Sequence, residues 1–226
     1  MQQNYQDSMA IVARFGKPDL FITVTSNPQW KEITENLPPG QTPADRPELI
    51  ARVFKLNLDA IFGDLLKSKV FGQVAAYVRV TEFQKRGLPH AHLLLILGES
   101  DKPRTPEEVN RVCSAEIPNF ETEQLLQNAV KTFMIHKNCV ATFPRAPCAK
   151  EEKCSKKFPK ELRDETSVSN DGHPHLRRRN LFAAEISGSL YRDEYVVPYN
   201  PYLLLKFNCH INVEICGMIS SVKSII

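Results

Sequence analysis

Residues 81–97 read Thr81-Glu82-Phe83-Gln84-Lys85-Arg86-Gly87-Leu88-Pro89-His90-Ala91-His92-Leu93-Leu94-Leu95-Ile96-Leu97, and this stretch decides the fold. Two histidines stand at i and i+2 at the head of an apolar run. In a strand, alternate side chains share a face, so His90 and His92 point the same way, followed by Leu94 and Ile96. Ala91, Leu93 and Leu95 take the opposite face. A strand apolar on both sides belongs in the middle of a sheet. Two imidazoles side by side on a rigid strand form half of a divalent-cation site, or else are two ordinary histidines near a strand end.

The preceding run, Val74 to Phe83, also reads as a strand, and Gly87-Leu88-Pro89 as a turn or strand entry. Folding the two runs together gives an antiparallel hairpin. Glu82 and Gln84 then share a face and could approach the histidines. Glu82 is the preferred third ligand, because a carboxylate suits Mg²⁺ or Mn²⁺ better than an amide does.

A second constellation lies at His136, Cys139, Cys148 and Cys154, spaced H-x2-C-x8-C-x5-C. Four such ligands could hold a structural Zn²⁺ tetrahedrally. The alternative is free buried cysteines and a surface histidine. The segment between them is polar and poor in core residues, so it needs a staple. Lysines crowd it: Lys153, Lys156 and Lys157, with Arg177-Arg178-Arg179 beyond. Such a run is either a solvated face or a clamp on a phosphate backbone. Lys85 and Arg86 place two more cations beside the histidines.

The chain has 226 residues, a net charge of +3, 42% hydrophobic and 24% charged residues, the profile of an ordinary globular protein with a substantial core. So small a net charge says little about partners; its distribution says more. An apolar run of about 18 residues, long enough to span a membrane, does not occur. The start, MQQNYQDSMA, lacks the basic and apolar regions of a secretory signal. The six cysteines are therefore expected in a reducing compartment, buried or on metal.

Elsewhere the pattern predicts a helix over 4–15 with Met9, Val12 and Ala13 inward, and a strand over 20–25. Trp30 is either core or a stacking surface. A long helix is capped by Asp45 and reaches about Lys67, with Leu49, Val53, Leu56, Ala60 and Leu65 as its core stripe. Thr105-Pro106-Glu107-Glu108 starts another helix. A further helix covers 121–136, with Leu125, Leu126, Ala129, Val130 and Phe133 at helical spacing. Asn170-Asp171-Gly172 is a turn. Residues 195–207 read as extended and aromatic, 210–214 as a strand with His210, Asn212 and Glu214 on one face, and 220–226 as the start of a helix.

EFQKRGLPHAHLLL closely resembles the His-hydrophobic-His motif of the N-terminal Rep-like domain of Helitron transposases, in the HUH endonuclease superfamily. The likeness extends to YQDSMAIVARFGKPDLFITVTSNPQW, RPELIARVFKLNLDAIFGDLL, PCAKEEKCSKKFPKEL, GHPHLRRR and VVPYNPYLLLKFNCHINVEIC. It implies an α+β fold, with a central antiparallel sheet, flanking helices and an inserted basic Cys/His segment. One domain would span 1–226: a core over 1–135 carrying the His motif, the basic segment over 136–180, and a return to the sheet over 181–226. It implies metal-dependent nicking of single-stranded DNA in rolling-circle transposition, a nuclear location and a helicase domain downstream.

In such enzymes a tyrosine hydroxyl attacks the metal-polarised phosphate, leaving a covalent phosphotyrosine. The family's Y-x-x-x-Y pair follows the HINVE block. Here no tyrosine follows Tyr202, so the expectation is a chain cut short of its nucleophile and inactive alone. Tyr195 and Tyr199 have i, i+4 spacing, but Pro198 and Pro201 argue against a helix there; these two and Tyr202 are the remaining candidates. The rival readings are a non-catalytic DNA-binding remnant and a metal-dependent hydrolase using activated water.

Overall fold

The computed structural model describes residues 2–83, 88–143, 145–169 and 172–216. Gln84, Lys85 and Arg86, the Asn170-Asp171 turn and the expected helix after 220 lie outside the described residues. Helix α1 (Gln2–Phe15) precedes strand β1 (Leu20–Thr25), and helix α2 (Pro47–Phe62) precedes the hairpin of β2 (Val74–Phe83) and β3 (Pro89–Leu97). Helices α3 (Pro106–Val112) and α4 (Gln124–Phe133) lead into the Cys/His segment, with its short hairpin of β4 (Ala149–Lys150) and β5 (Lys153–Cys154). Helix α5 (Pro201–Phe207) and strand β6 (Ile211–Ile215) close the described fold.

The four long strands form one antiparallel sheet in the order β6-β1-β3-β2. The α+β architecture with a central antiparallel sheet is thus as the sequence implied, and β3 is an inner strand. Its Leu93, Leu94, Leu95, Ile96 and Leu97 are all at most 2% exposed. Burying each such side chain stabilises the fold by roughly 2 kcal/mol. One sheet face carries the main core: Leu20, Ile22 and Val24 of β1, Ala91, Leu93 and Leu95 of β3, and Ile211 and Val213 of β6, under α2, α4 and α5. On the other face a smaller cluster joins Val12 of α1 to Val78 and Leu94. Ala13, expected inward, is exposed.

Three other side-chain expectations are corrected. The N-cap of α2 is Arg46, not Asp45, whose carboxylate instead closes a capping box with Thr42 in the short turn before it. The buried stripe of α2 is Ile50, Val53, Phe54, Leu58, Ile61 and Phe62, leaving Leu56 67% exposed and Ala60 also outside. The helix then widens over Gly63–Lys67 into π turns, which shift the phase of any pattern read through them. Leu125 is 78% exposed, because α4 buries Leu126, Ala129 and Val130 instead.

Residues 201–207 are helical rather than extended. The Asn200 side chain accepts the Leu203 N–H at 3.0 Å, Pro201 occupies the first turn, and Asn208 ends the helix in the left-handed region at φ 45°. Trp30 is core: it is 6% exposed and its Nε1–H donates to the Phe207 carbonyl at 2.8 Å. The capping box at Thr105 forms as read, with the Thr105 hydroxyl accepting from Glu108 N–H at 3.3 Å.

Candidate metal and nucleic-acid site

Strand pairing puts Glu82 directly opposite His90, and Val80 opposite His92. Partners opposite one another in an antiparallel ladder share a face, so Glu82, His90 and His92 meet on the face away from the main core. Glu82 Oε1 lies 3.2 Å from His92 Nε2. Adjacent ligands of a six-coordinate cation with bonds of about 2.1 Å lie about 3.0 Å apart, so this pair fits such an ion with little movement.

The second ring nitrogens are held from behind. His90 Nδ1 lies 3.2 Å from the Leu88 carbonyl, which can only accept. The proton is therefore on Nδ1, and Nε2 carries the lone pair. Burial pulls His90 below the usual imidazole pKa, against that hydrogen bond and the charge of Glu82. His92 Nδ1 lies 3.1 Å from Thr23 Oγ1. A hydroxyl can donate or accept, so Thr23 supports His92 with its proton on either nitrogen. Phe21 stacks on the His92 ring at 5.7 Å between centroids and 28° between planes.

The polar face of β6 joins this surface. Asn212 is opposite Thr23 and Glu214 opposite Phe21. His210 donates its Nδ1–H to the Phe133 carbonyl at 2.7 Å; burial lowers its pKa against that hydrogen bond, and the charges of Lys156 and His90 lower it further. His210 thus lies within electrostatic range of both the His pair and the basic segment. The sequence showed that these three residues share a face; strand order, which it did not show, makes it the histidines' face.

His136, Cys139, Cys148 and Cys154 come together as their spacing suggested. Their ligand atoms all lie within 4.8 Å of one another, a cluster that could hold a metal ion. Cys154 Sγ is 3.4 Å and Cys148 Sγ 3.8 Å from His136 Nε2. Tetrahedral Zn²⁺ with ordinary bond lengths separates its nitrogen and sulfur ligands by about 3.6 Å. The β4–β5 hairpin carries Cys148 and Cys154 at its two ends. Its turn residues, Glu151 and Glu152, have φ of 48° and 59°, a left-handed pair that only glycine or asparagine adopts readily.

Burial raises the Cys139 thiol to about 11, helped by its two cysteine neighbours. Burial acts on Cys154 too, but hydrogen bonds from the Phe158 and Lys156 N–H groups and from the other thiols outweigh it and lower its pKa. Phe158 stacks on His136 at 4.3 Å.

The basic residues divide. Lys153, Lys156 and Lys157 are exposed around the cluster. The arginines are not a free patch. Arg178, expected on DNA, is 5% exposed, with Nη1 surrounded by the carbonyls of Ala115, Asp193 and Val196. Arg179 and Arg177 both bond the Glu116 carboxylate, at 2.7 and 3.1 Å. Glu116 was not singled out in the sequence, and an acid sixty residues away in the chain gives no local signal.

The tyrosines are placed away from the histidines' chemistry. Tyr199 is 1% exposed, donates its hydroxyl to the Glu116 carbonyl at 2.9 Å, and is pushed by burial far above the usual phenol pKa. Burial also raises Tyr195, whose ring packs edge-on to Tyr191. Tyr202 donates to Asp64 at 3.2 Å from α5, on the main-core side of the sheet.

Residues 1–95 match the family model described as Helitron helicase-like domain at N-terminus. The match takes in α1, β1, α2, β2 and both histidines of β3. It bears out the resemblance over that stretch and supports a role related to Helitron transposases. No curated protein matches the chain. Among the described residues no helix is long and apolar enough to cross a membrane.

Proposed function

We propose that this chain is the metal- and single-stranded-DNA-binding domain of a Helitron-type transposase, with the HUH, Rep-like form of the α+β fold. The observation that carries the reading is the meeting of His90, His92 and Glu82 on one face of the central hairpin, with each histidine's Nδ1 held from behind. These three residues would hold Mg²⁺ or Mn²⁺. Such an ion polarises a phosphodiester oxygen when bound. The chain's own part is to fix the imidazoles and to leave their face open for a strand, with Lys153, Lys156 and Lys157 drawing the phosphate backbone toward it. The Cys/His cluster is the structural Zn²⁺ site that keeps those lysines in place.

The reading extends to a nuclear protein with a helicase domain as its partner. A second reading, DNA binding without nicking, is favoured by one observation: Tyr195, Tyr199 and Tyr202 are each engaged away from the histidines.

The test is Mn²⁺ titration by calorimetry, together with a denaturing gel of labelled single-stranded DNA. The wild type is expected to bind about one Mn²⁺, and His90→Ala to weaken this at least ~100-fold while retaining DNA binding through the lysines. Mn²⁺ binding that survives His90→Ala would remove the His site. Intact DNA with metal bound through His90 would mean a metal site without its nucleophile; a covalent adduct would make Tyr195, Tyr199 or Tyr202 the nucleophile, and DNA binding without metal would select the second reading.

A finer prediction concerns Thr23. Metal at His92 Nε2 requires the proton on Nδ1, where Thr23 accepts it. Thr23→Val is therefore expected to lower Mn²⁺ affinity by about 10-fold to 100-fold with the fold intact, checked by the same titration.

A further inference from the structure

At the C-terminal end of β1 an open cavity of about 290 Å³ is walled by Pro28, Pro43, Pro47, Ile50 and Leu88, with Gln29 and Thr42 as its polar groups. That is the lower end of the size range of ligand pockets, roughly 300 Å³ upward, so it suits one ring system rather than a long ligand. Its walls are pre-formed. The Asn27 side chain accepts the Gln29 N–H at 2.9 Å and donates to the Asn208 carbonyl at 2.7 Å, which fixes the Pro28-Gln29 wall. The Thr42–Asp45 capping box, with its 2.7 Å hydroxyl–carboxylate bond, fixes the other.

The cavity lies at the end of the sheet that carries the histidines, on the side where α2 adds Pro47 and Ile50 to its wall. Leu88, in its wall, is two residues from His90, at most about 7 Å of chain. The Leu88 carbonyl is also the group that holds His90 Nδ1. Ser26, just before Pro28, donates its N–H to the Pro89 carbonyl at 3.1 Å, which ties the end of β1 to the start of β3. A strand whose phosphate lies at the His pair would therefore have a neighbouring base within reach of this opening.

We infer that the cavity takes one unstacked nucleobase of the DNA strand bound at the His face. The inference rests on the function proposed above. Proline rings, Ile50 and Leu88 offer apolar surface to the faces of a base. The exposed Gln29 carboxamide, which bonds no described residue, offers a donor and an acceptor to its edge. The lining contains no charged side chain, so the group it receives is a base rather than a phosphate.

The experiment uses the full chain and a short single-stranded oligonucleotide carrying one 2-aminopurine, moved position by position. Wild-type protein is expected to alter the fluorescence strongly at one position. An abasic nucleotide there should weaken binding about tenfold. Ala44 also lines the cavity and is exposed, so Ala44→Trp fills the space without disturbing the core. This variant should abolish the fluorescence change, bind the normal oligonucleotide about tenfold more weakly, and be indifferent to the abasic substitution. Gln29→Ala should keep the fluorescence change but reduce discrimination between bases. DNA binding that neither Ala44→Trp nor any abasic site affects would overturn the pocket and leave the function standing. Failure of the wild type to bind single-stranded DNA would overturn both.

Discussion

Purified without chelator, the chain is expected to carry about one equivalent of zinc, and Cys154→Ser is expected to lose it. The four ligand atoms already converge within 4.8 Å, so the metal needs no large rearrangement. The hairpin that brings Cys148 and Cys154 together turns through two glutamates in left-handed conformation, which costs energy that the hairpin's two paired positions do not repay. The segment around it contributes little to the main core beyond its flanks. A bound metal supplies the missing stabilisation; in isolated zinc-finger peptides it is worth about 10–16 kcal/mol. Here the sheet stands independently, so the expected loss is local. Cys154→Ser should sharply raise hydrogen exchange over 139–158 while β1 and β3 stay protected and the main unfolding transition holds its Tm.

The same variant should lose affinity for single-stranded DNA, because Lys153, Lys156 and Lys157 depend on the hairpin for their position. Metal analysis showing no zinc, with exchange over 139–158 unaltered by chelator, would restore the plain alternative of three free thiols beside a histidine.

The parts of this fold legible in the sequence are those set by period and local chemistry. Alternation through His90-Ala91-His92 gave the shared face and the preceding strand offered Glu82 or Gln84 to it, while the register that sets Glu82 opposite His90 is a finding of the fold. The capping box at Thr105 was equally local. What was not legible depends on partners distant in the chain. Leu56 has the right spacing for a core stripe, but the side of α2 that faces the sheet is chosen by the sheet, and the π turns after Phe62 blur the phase. The run from Tyr195 to Phe207 looks extended because of its prolines, yet Pro201 sits where a helix tolerates it, behind an Asn200 cap. The His210-Asn212-Glu214 face became part of the candidate site only through strand order, which pairs β6 with β1.

The arginine triplet is the sharpest case, and Arg178→Ala is expected to be among the most destabilising single substitutions in the chain. A run of three arginines beside lysines suggests a phosphate clamp. In the folded protein, Arg178 instead enters the interior and gathers the carbonyls of Ala115, Asp193 and Val196. Burial pulls its pKa down to about 10, opposed by the charges of Asp193 and Glu194, so it stays cationic at neutral pH. Asp193 is itself committed, accepting the N–H groups of Ile117 at 2.8 Å and Asn180 at 2.7 Å. Removing the guanidinium strands the carbonyls and leaves a buried carboxylate without its nearby cation. Losses of this kind run to about 3–5 kcal/mol, or roughly 10 °C in Tm for a chain of this size.

Arg177→Ala and Arg179→Ala each leave Glu116 with the other arginine and should cost about 1 kcal/mol. A DNA-contacting Arg178 would behave in the opposite way. Tm would hold, affinity for single-stranded DNA would fall, and the slope of log affinity against log salt would shrink by about 0.7. Thermal denaturation and a salt titration of the same variant therefore separate a strut from a clamp, and the buried geometry calls for the strut.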